Sequence, residues 1–234
     1  MKQLVRMLVS LLASFNAGAV WAQGPKYPPL SEYMMPPGAE IALARSAAPA
    51  NISDRATIKV LTTSGYQVAR DGDNVVCMVM RAWAAPTYTP AQLRNLVYDA
   101  TVRAPICFKQ EASRTVVPYY ELRSKLGMEG KAPDQIAEAV QAVYVKGELP
   151  KRDAVSFGYM WSADQQLGPG GHWHPHMMVC APYYDNSMIA GDVQFGSPLP
   201  QLCDDAGTPF AVVDPVDFRT SRWLSSALWH AVKT

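Results

Sequence analysis

The stretch NVVCMVMRAW carries six consecutive apolar residues, Val75 to Met80, with no polar residue at alternate positions. A strand with one wet face alternates apolar and polar side chains; one without that alternation is covered on both faces or lies centrally in a sheet. Any fold of this chain must therefore supply cover on both sides of at least one strand. Cys77 sits inside the run, so a cysteine shares that interior.

Upstream, 56–61 (ATIKVL) and 66–70 (YQVAR) also read as strands. The turn signals Thr63-Ser64-Gly65 and Asp71-Gly72-Asp73-Asn74 join the three, and the second reads as a hairpin. Residues 39–48 (AEIALARSAA) favour a short helix that Pro49 ends. Thr89-Pro90 reads as a helix start, with 92–100 continuing it until Pro105 interrupts. A further helix is expected over 113–126, with Gly127 as its stop. The clearest helix starts at Pro133, shows Ile136, Val140, Val143 and Tyr144 on one packing face, and ends at Gly147. Residues 154–162 (AVSFGYMWS) return to strand character, with Phe157, Tyr159 and Trp161 opposite Ser156, Gly158 and Met160. A last strand is expected over 210–213. Strands at both ends and helices between them predict an α+β fold: a mainly antiparallel sheet, with helices from the middle of the chain packed on it, in a single domain.

The first 22 residues hold Lys2 and Arg6 ahead of an uncharged apolar run and close with Val20 and Ala22 at the small-residue positions before a cut. That is the layout of a secretory signal peptide, and the run is shorter than the roughly 20 residues a membrane span needs. Residues 23–37 include five prolines and read as a linker or a wrapped arm, leaving 38–234 for the folded domain. Within it, 215–234 read as a peripheral helical tail with Leu224, Leu228 and Val232 on one face. The expected destination is the periplasm or the medium. Without the leader, Lys+Arg falls from 21 to 19 against 20 Asp+Glu, a net charge of about −1, and no segment concentrates basic residues. Nucleic acid and anionic membrane surfaces are thereby disfavoured as partners, and no membrane span is expected after cleavage.

All four cysteines, Cys77, Cys107, Cys180 and Cys203, follow the leader. An exported chain meets an oxidising compartment, so disulfides are expected. Four cysteines allow three pairings, and proximity in sequence favours Cys77 with Cys107 and Cys180 with Cys203.

Three of the chain's four histidines, His172, His174 and His176, fall within GPGGHWHPHMMVC. If this segment is extended, Trp173, Pro175, Met177 and Val179 form an apolar side suited to a core. The alternate side gathers His172, His174, His176, Met178 and Cys180, all of them potential metal ligands. Histidines two apart on a strand stand about 7 Å apart, close enough to share an ion, whereas His172 and His176 would be about 13 Å apart. Pro175 breaks the regular ladder, so the spacing alone leaves open which two converge. Zinc is the expected metal, with copper the alternative if Met178 or Cys180 takes part. Candidates for a further ligand are Asp185, the nearest, then Asp192, Asp204, Asp205 and His230. An acid–base cluster without metal, or a turn rich in imidazole for structural reasons, fits the same residues.

The segments Arg45-Ser46-Ala47-Ala48-Pro49, Pro105-Ile106-Cys107-Phe108 and above all LGPGGHWHPH resemble an uncharacterised family of exported bacterial proteins. The likeness covers roughly 39–213. It implies export and a single domain, and it carries over no catalytic role. The tail DPVDFRTSRWLSSALWHAVKT departs from that pattern.

No HExxH, GxSxG, Walker or GxGxxG motif names a reaction. Two readings follow. One is an exported protein with a histidine-based metal site, catalytic or metal-sequestering. The other is a disulfide-stapled envelope protein that binds a small molecule or a partner without metal, the histidines lining a polar groove beside Tyr183 and Tyr184.

Overall fold

The structure is a computed structural model and describes residues 27–84, 96, 98–166, 175–189 and 200–214. The expected leader and the tail over 215–234 lie outside these residues. Of the proline-rich segment, the part from Tyr27 onward packs on the body: α1 (Leu30–Tyr33) buries Tyr33 in the main core, and Pro37 opens the helix α2 (Pro37–Arg45).

One sheet organises the molecule. Its strands are β1 (Ala56–Thr62), β2 (Gly65–Arg70), β3 (Asp73–Met80), β4 (Ala104–Phe108), β5 (Ser156–Met160), β6 (His176–Cys180), β7 (Gln201–Asp204) and β8 (Val212–Asp214). Their spatial order is β2-β1-β3-β4-β5-β6-β8-β7, and every pair except β1–β3 is antiparallel. The short α3 (Ala50–Ser53) precedes β1. Between β4 and β5 come α4 (Gln110–Thr115), α5 (Val117–Met128) and α6 (Pro133–Val145), the expected helices from the middle of the chain.

Alternation divides the sheet into two buried faces. Met78, Met80, Ala104, Ile106 and Phe108 point to the side of α4–α6 and join Tyr119, Tyr120, Ile136 and Val140 in the main core. Cys77, Val79 and Cys107 point the other way, onto Ala44, Ala47 and Ala48 of α2 and the turn after it. The unalternating run of β3 is thus covered on both sides, as its composition demanded.

The Asp71–Asn74 connection is not a hairpin. β3 pairs with β1 rather than β2, so the chain crosses beneath the first residues of β1. Asp73 N donates to Arg55 O at 2.7 Å, and Arg70 Nη2 donates to Ser53 O and Ala56 O. Gly72 lies against that backbone, where a Cβ would stand 2.2 Å from Arg55 O. The glycine signals a close approach of two chain segments, not a tight reversal.

β4 was hidden by its proline. Cys77 and Cys107 are directly opposed with Cα atoms 4.0 Å apart, the close spacing of a pair that exchanges no hydrogen bonds. Pro105, two residues earlier, faces Val79 in the same phase, so its missing N–H subtracts nothing from the β3 ladder. On its other side β5 has already left: Trp161 N donates to Ala47 O.

Other boundaries moved. Leu96 and Tyr98–Ala100, the described part of the helix expected over 92–100, are not helical. Gly127 does not stop α5 but lies inside it, against Trp83, where a Cβ would meet the indole Cγ at 2.3 Å. The stop is Gly130, with φ +73, whose N–H reaches Gly127 O while Lys131 N reaches Leu126 O. α6 ends as expected, at Gly147 with φ +76. Among the described residues no helix is long and apolar enough to cross a membrane.

Candidate ligand-binding cleft

The residues on which the sequence focuses attention are only partly brought together. β6 begins at His176, whose backbone faces Met160; His172, Trp173 and His174 lie outside the described residues. Register with β5 places His176, Met178 and Cys180 opposite Met160, Gly158 and Ser156, on the side of the main core, which buries Met178 and Cys180. The side expected to pack, Met177 and Val179, faces Tyr159 and Phe157 on the opposite surface and is only half-buried. The alternation holds and the burial is inverted.

Asp185 Oδ1 accepts Ser187 Oγ at 2.5 Å, Ser187 N at 2.9 Å and Met188 N at 3.2 Å, so it caps the short helix α7 (Asn186–Ile189). The Ser187 hydroxyl first, then the Met188 amide, lowers its pKa below the ordinary carboxylate value. Asp205 is nearly buried and accepts the Tyr119 hydroxyl at 2.9 Å. Asp192, His230 and the side chains of Asp204 and Cys203 lie outside the described residues, and the Cys180–Cys203 pairing with them. Cys77 and Cys107 are joined across β3 and β4. Among the described residues no three His, Cys, Asp or Glu side chains stand together as a metal site.

A cleft of about 290 Å³ opens elsewhere, between the N-terminal arm and the end of α5. Its walls include Tyr27, Tyr33, Trp83, Tyr98, Gly127 and Glu129. Tyr33 stacks on Trp83 with ring centroids 4.1 Å apart, and Tyr27 stacks on Tyr98 at 3.5 Å. The Tyr98 hydroxyl donates to Lys131 O.

Two buried arginines fix this arrangement. Arg81 and Glu40, both fully buried, form an ion pair at 2.9 Å, and Arg81 Nε donates to Tyr33 O at 2.7 Å. Glu40 Oε1 in turn accepts Leu61 N, so one pair ties the arm, α2 and β1 together. Arg123 Nε donates to Trp83 O at 2.9 Å, holding the second aromatic residue from α5. Gly127 supplies the room that lets α5 lie flat against the indole.

Tyr33 and Trp83 are each 1% exposed, yet Tyr33 Oη and Trp83 Nε1 have no hydrogen-bond partner. A buried donor left unpaired costs about 1–3 kcal/mol, so such groups are rare where nothing uses them. Burial, then the carboxylates of Asp99 and Glu32, pushes the Tyr33 pKa up to about 12. Burial also raises the Tyr98 pKa above its ordinary value, with Tyr27 and Tyr33 adding to it. Tyr33 therefore presents a neutral hydroxyl at physiological pH.

The sequence offered a faint signal for this site in the tyrosines of KYPPLSEY, read there only as a proline-rich arm. The pairing of Tyr33 with a tryptophan 50 positions later had none. No family model, curated protein or solved structure matches this chain.

Proposed function

We propose that this chain is an exported binding protein, stapled by the Cys77–Cys107 disulfide, whose cleft takes a small neutral ligand bearing hydrogen-bond acceptors. One observation carries the reading: Tyr33 Oη and Trp83 Nε1, buried and unpaired, belong to stacked rings on the wall of a cavity of ligand size. An acceptor on the ligand recovers the cost of both donors, and the rings cover its apolar body. Glu129 on the wall, with Glu32 and Asp99 outweighing Arg103 in their effect on Tyr33, disfavours an anion. Export rests on the leader-like first 22 residues and on the cystine, which persists in oxidising compartments.

The test uses untagged protein from Gln23 onward, titrated with neutral acceptors such as N-methylbenzamide and methyl glucoside while the Trp83 indole N–H is followed by NMR. Binding shifts that resonance, and Tyr33→Phe weakens it by about tenfold, the loss of one buried hydrogen bond. The folded-state pKa of Tyr33 is raised above the unfolded value near 10, so the donor form persists to about pH 12 and affinity stays flat from pH 6 to 10. If no neutral acceptor moves the indole signal, the reading is lost.

A second reading keeps HWHPH as a zinc or copper site, because His176 stands on the same side of β6 as Met178 and Cys180. The same preparation, analysed for bound metal with and without His174→Ala, decides it. Substoichiometric metal in the wild type, with no stabilisation by added zinc or copper, removes it.

A further inference from the structure

A second cluster lies away from the cleft, where α5 and α6 meet the loops that flank β6 and β8. Tyr119 and Arg123 stand one turn apart on α5. Arg123 Nη1 donates to the Tyr119 hydroxyl at 3.0 Å, and that hydroxyl donates to Asp205 Oδ2 at 2.9 Å. The Tyr119 ring stacks on Phe210 at 4.3 Å with the planes 6° apart, and Tyr144 meets Phe210 edge-on.

Beside this stack is Arg152. It is 2% exposed, its guanidinium carbon lies 5.5 Å from the Tyr119 ring centre and 5.6 Å from that of Phe210, and neither Nη1 nor Nη2 has a hydrogen-bond partner. Aromatic rings offset part of the cost of burying a cation, but they satisfy none of its N–H donors. A guanidinium so buried ordinarily faces a carboxylate. Here Asp205 is turned to Tyr119 instead.

The adjoining backbone is itself unusual. Tyr183 (φ 65) and Asp205 (φ 39) are the two described non-glycine residues in the left-handed region. Their loops are bonded to each other, Tyr183 N to Thr208 O at 2.7 Å and Gly207 N to Tyr184 O at 2.8 Å. A bulky side chain in that region is strained and persists only where the surroundings hold it, as they do at many binding sites. Tyr183 is 52% exposed and its hydroxyl is influenced by the neighbouring Tyr144 side chain, while Tyr144 Oη accepts Arg152 N at 3.4 Å. A path of contacts thus runs from solvent to the buried arginine.

We infer that Arg152 anchors a binding site for a small carboxylate with a flat apolar body. The two Nη groups match the two oxygens of a carboxylate, and Tyr119, Phe210 and Tyr144 flank an aryl or branched body. The described charges of the cluster are Arg123, Arg152 and Asp205, with Asp153 exposed next in the chain. One negative charge balances Arg152; a phosphate dianion would meet Asp205 and Asp153 as well. The site is separate from the cleft in ligand and in donors, and Arg123 links the two, donating to Trp83 O and to the Tyr119 hydroxyl.

The full chain from Gln23 is titrated with benzoate, with benzamide as the neutral analogue of the same shape, and with inorganic phosphate, by calorimetry and by the wild-type arginine side-chain NMR signals. Benzoate binds and shifts a guanidinium resonance; benzamide and phosphate bind at least about tenfold more weakly, as does benzoate to Arg152→Gln, since a charge-assisted bidentate pair is lost. Arg152→Lys retains an intermediate affinity. No binding of benzoate to the wild type, or equal binding of benzoate and benzamide, overturns the site. Phosphate binding as tightly as benzoate overturns the carboxylate assignment. Should Arg152→Gln fail to fold, the wild-type comparison of benzoate with benzamide and the lysine variant still decide.

Discussion

On the side of α4–α6 the sheet is filled by large side chains, among them Met78, Met80, Ile106, Phe108, Tyr119 and Tyr120. The same strands on the other side bury Ala44, Ala47, Ala48, Cys77 and Cys107 beneath α2. Small residues let a helix lie close and need little else, whereas bulky aromatic rings rarely tile a surface completely. Both candidate sites are on the bulky side, at its margins, where Trp83 and Arg152 are left with unmet donors. The alanine-lined side carries the disulfide that joins β3 to β4, and Glu40 of α2 reaches the buried Arg81 that also holds Tyr33. Beyond the reach of α2 that side is thinly covered: Phe157 is 40% and Trp161 51% exposed.

The largest effect that breaks this contrast is loss of the disulfide. Cys77 and Cys107 are 30 residues apart, and opening a loop of that size costs about 3–4 kcal/mol of stability in the chain-entropy account. Urea unfolding of Cys77→Ala/Cys107→Ala should show that loss; a loss well under 1 kcal/mol means that the pairing of β3 with β4 and its cover by α2 hold those strands together unaided. On the bulky side, Gly127→Ala forces a methyl into the Trp83 indole and should cost about 1–3 kcal/mol as overpacking. The indole N–H resonance of Trp83 should move with it, whereas an unchanged resonance and midpoint would show slack between α5 and the cleft. The smallest effect belongs to the thinly covered strip, where Phe157→Thr should stay within about 0.5 kcal/mol of wild type. A larger loss in thermal unfolding would reveal that something covers β5.

What could be read without the structure follows the reach of the physics involved. The strands β1–β3, the helix α6 with its Gly147 stop, and the α+β class rest on local periodicity and capping, which neighbouring residues decide. β4 was missed because proline argues against a central strand, and only the pairing phase beside Cys107 shows why Pro105 is harmless. Gly72 and Gly127 looked like turn and stop residues, but each makes room for a segment distant in sequence. The alternation within His176–Cys180 was legible, yet its burial was not, since the side that faces the core depends on which strands flank β6.

The candidate sites show the same divide. The cysteine pair could be proposed from proximity, and the histidines from their spacing, because each lies within a short stretch of chain. The cleft joins Tyr33 to Trp83, and the second cluster joins Tyr119, Arg152 and Asp205, across separations that no local pattern spans.

By itself, the sequence determined that this chain needs a strand covered on both faces, helices between two sets of strands, and a cysteine within the covered strand. Tertiary structure alone decided that the chain crosses beneath β1 at Gly72, that the histidine-bearing side of β6 turns inward, and that Tyr33, Trp83 and Arg152 keep unmet donors. The physical reason is that backbone propensity and periodicity act over a few residues, whereas hydrogen-bond satisfaction and close packing are settled only when distant segments meet.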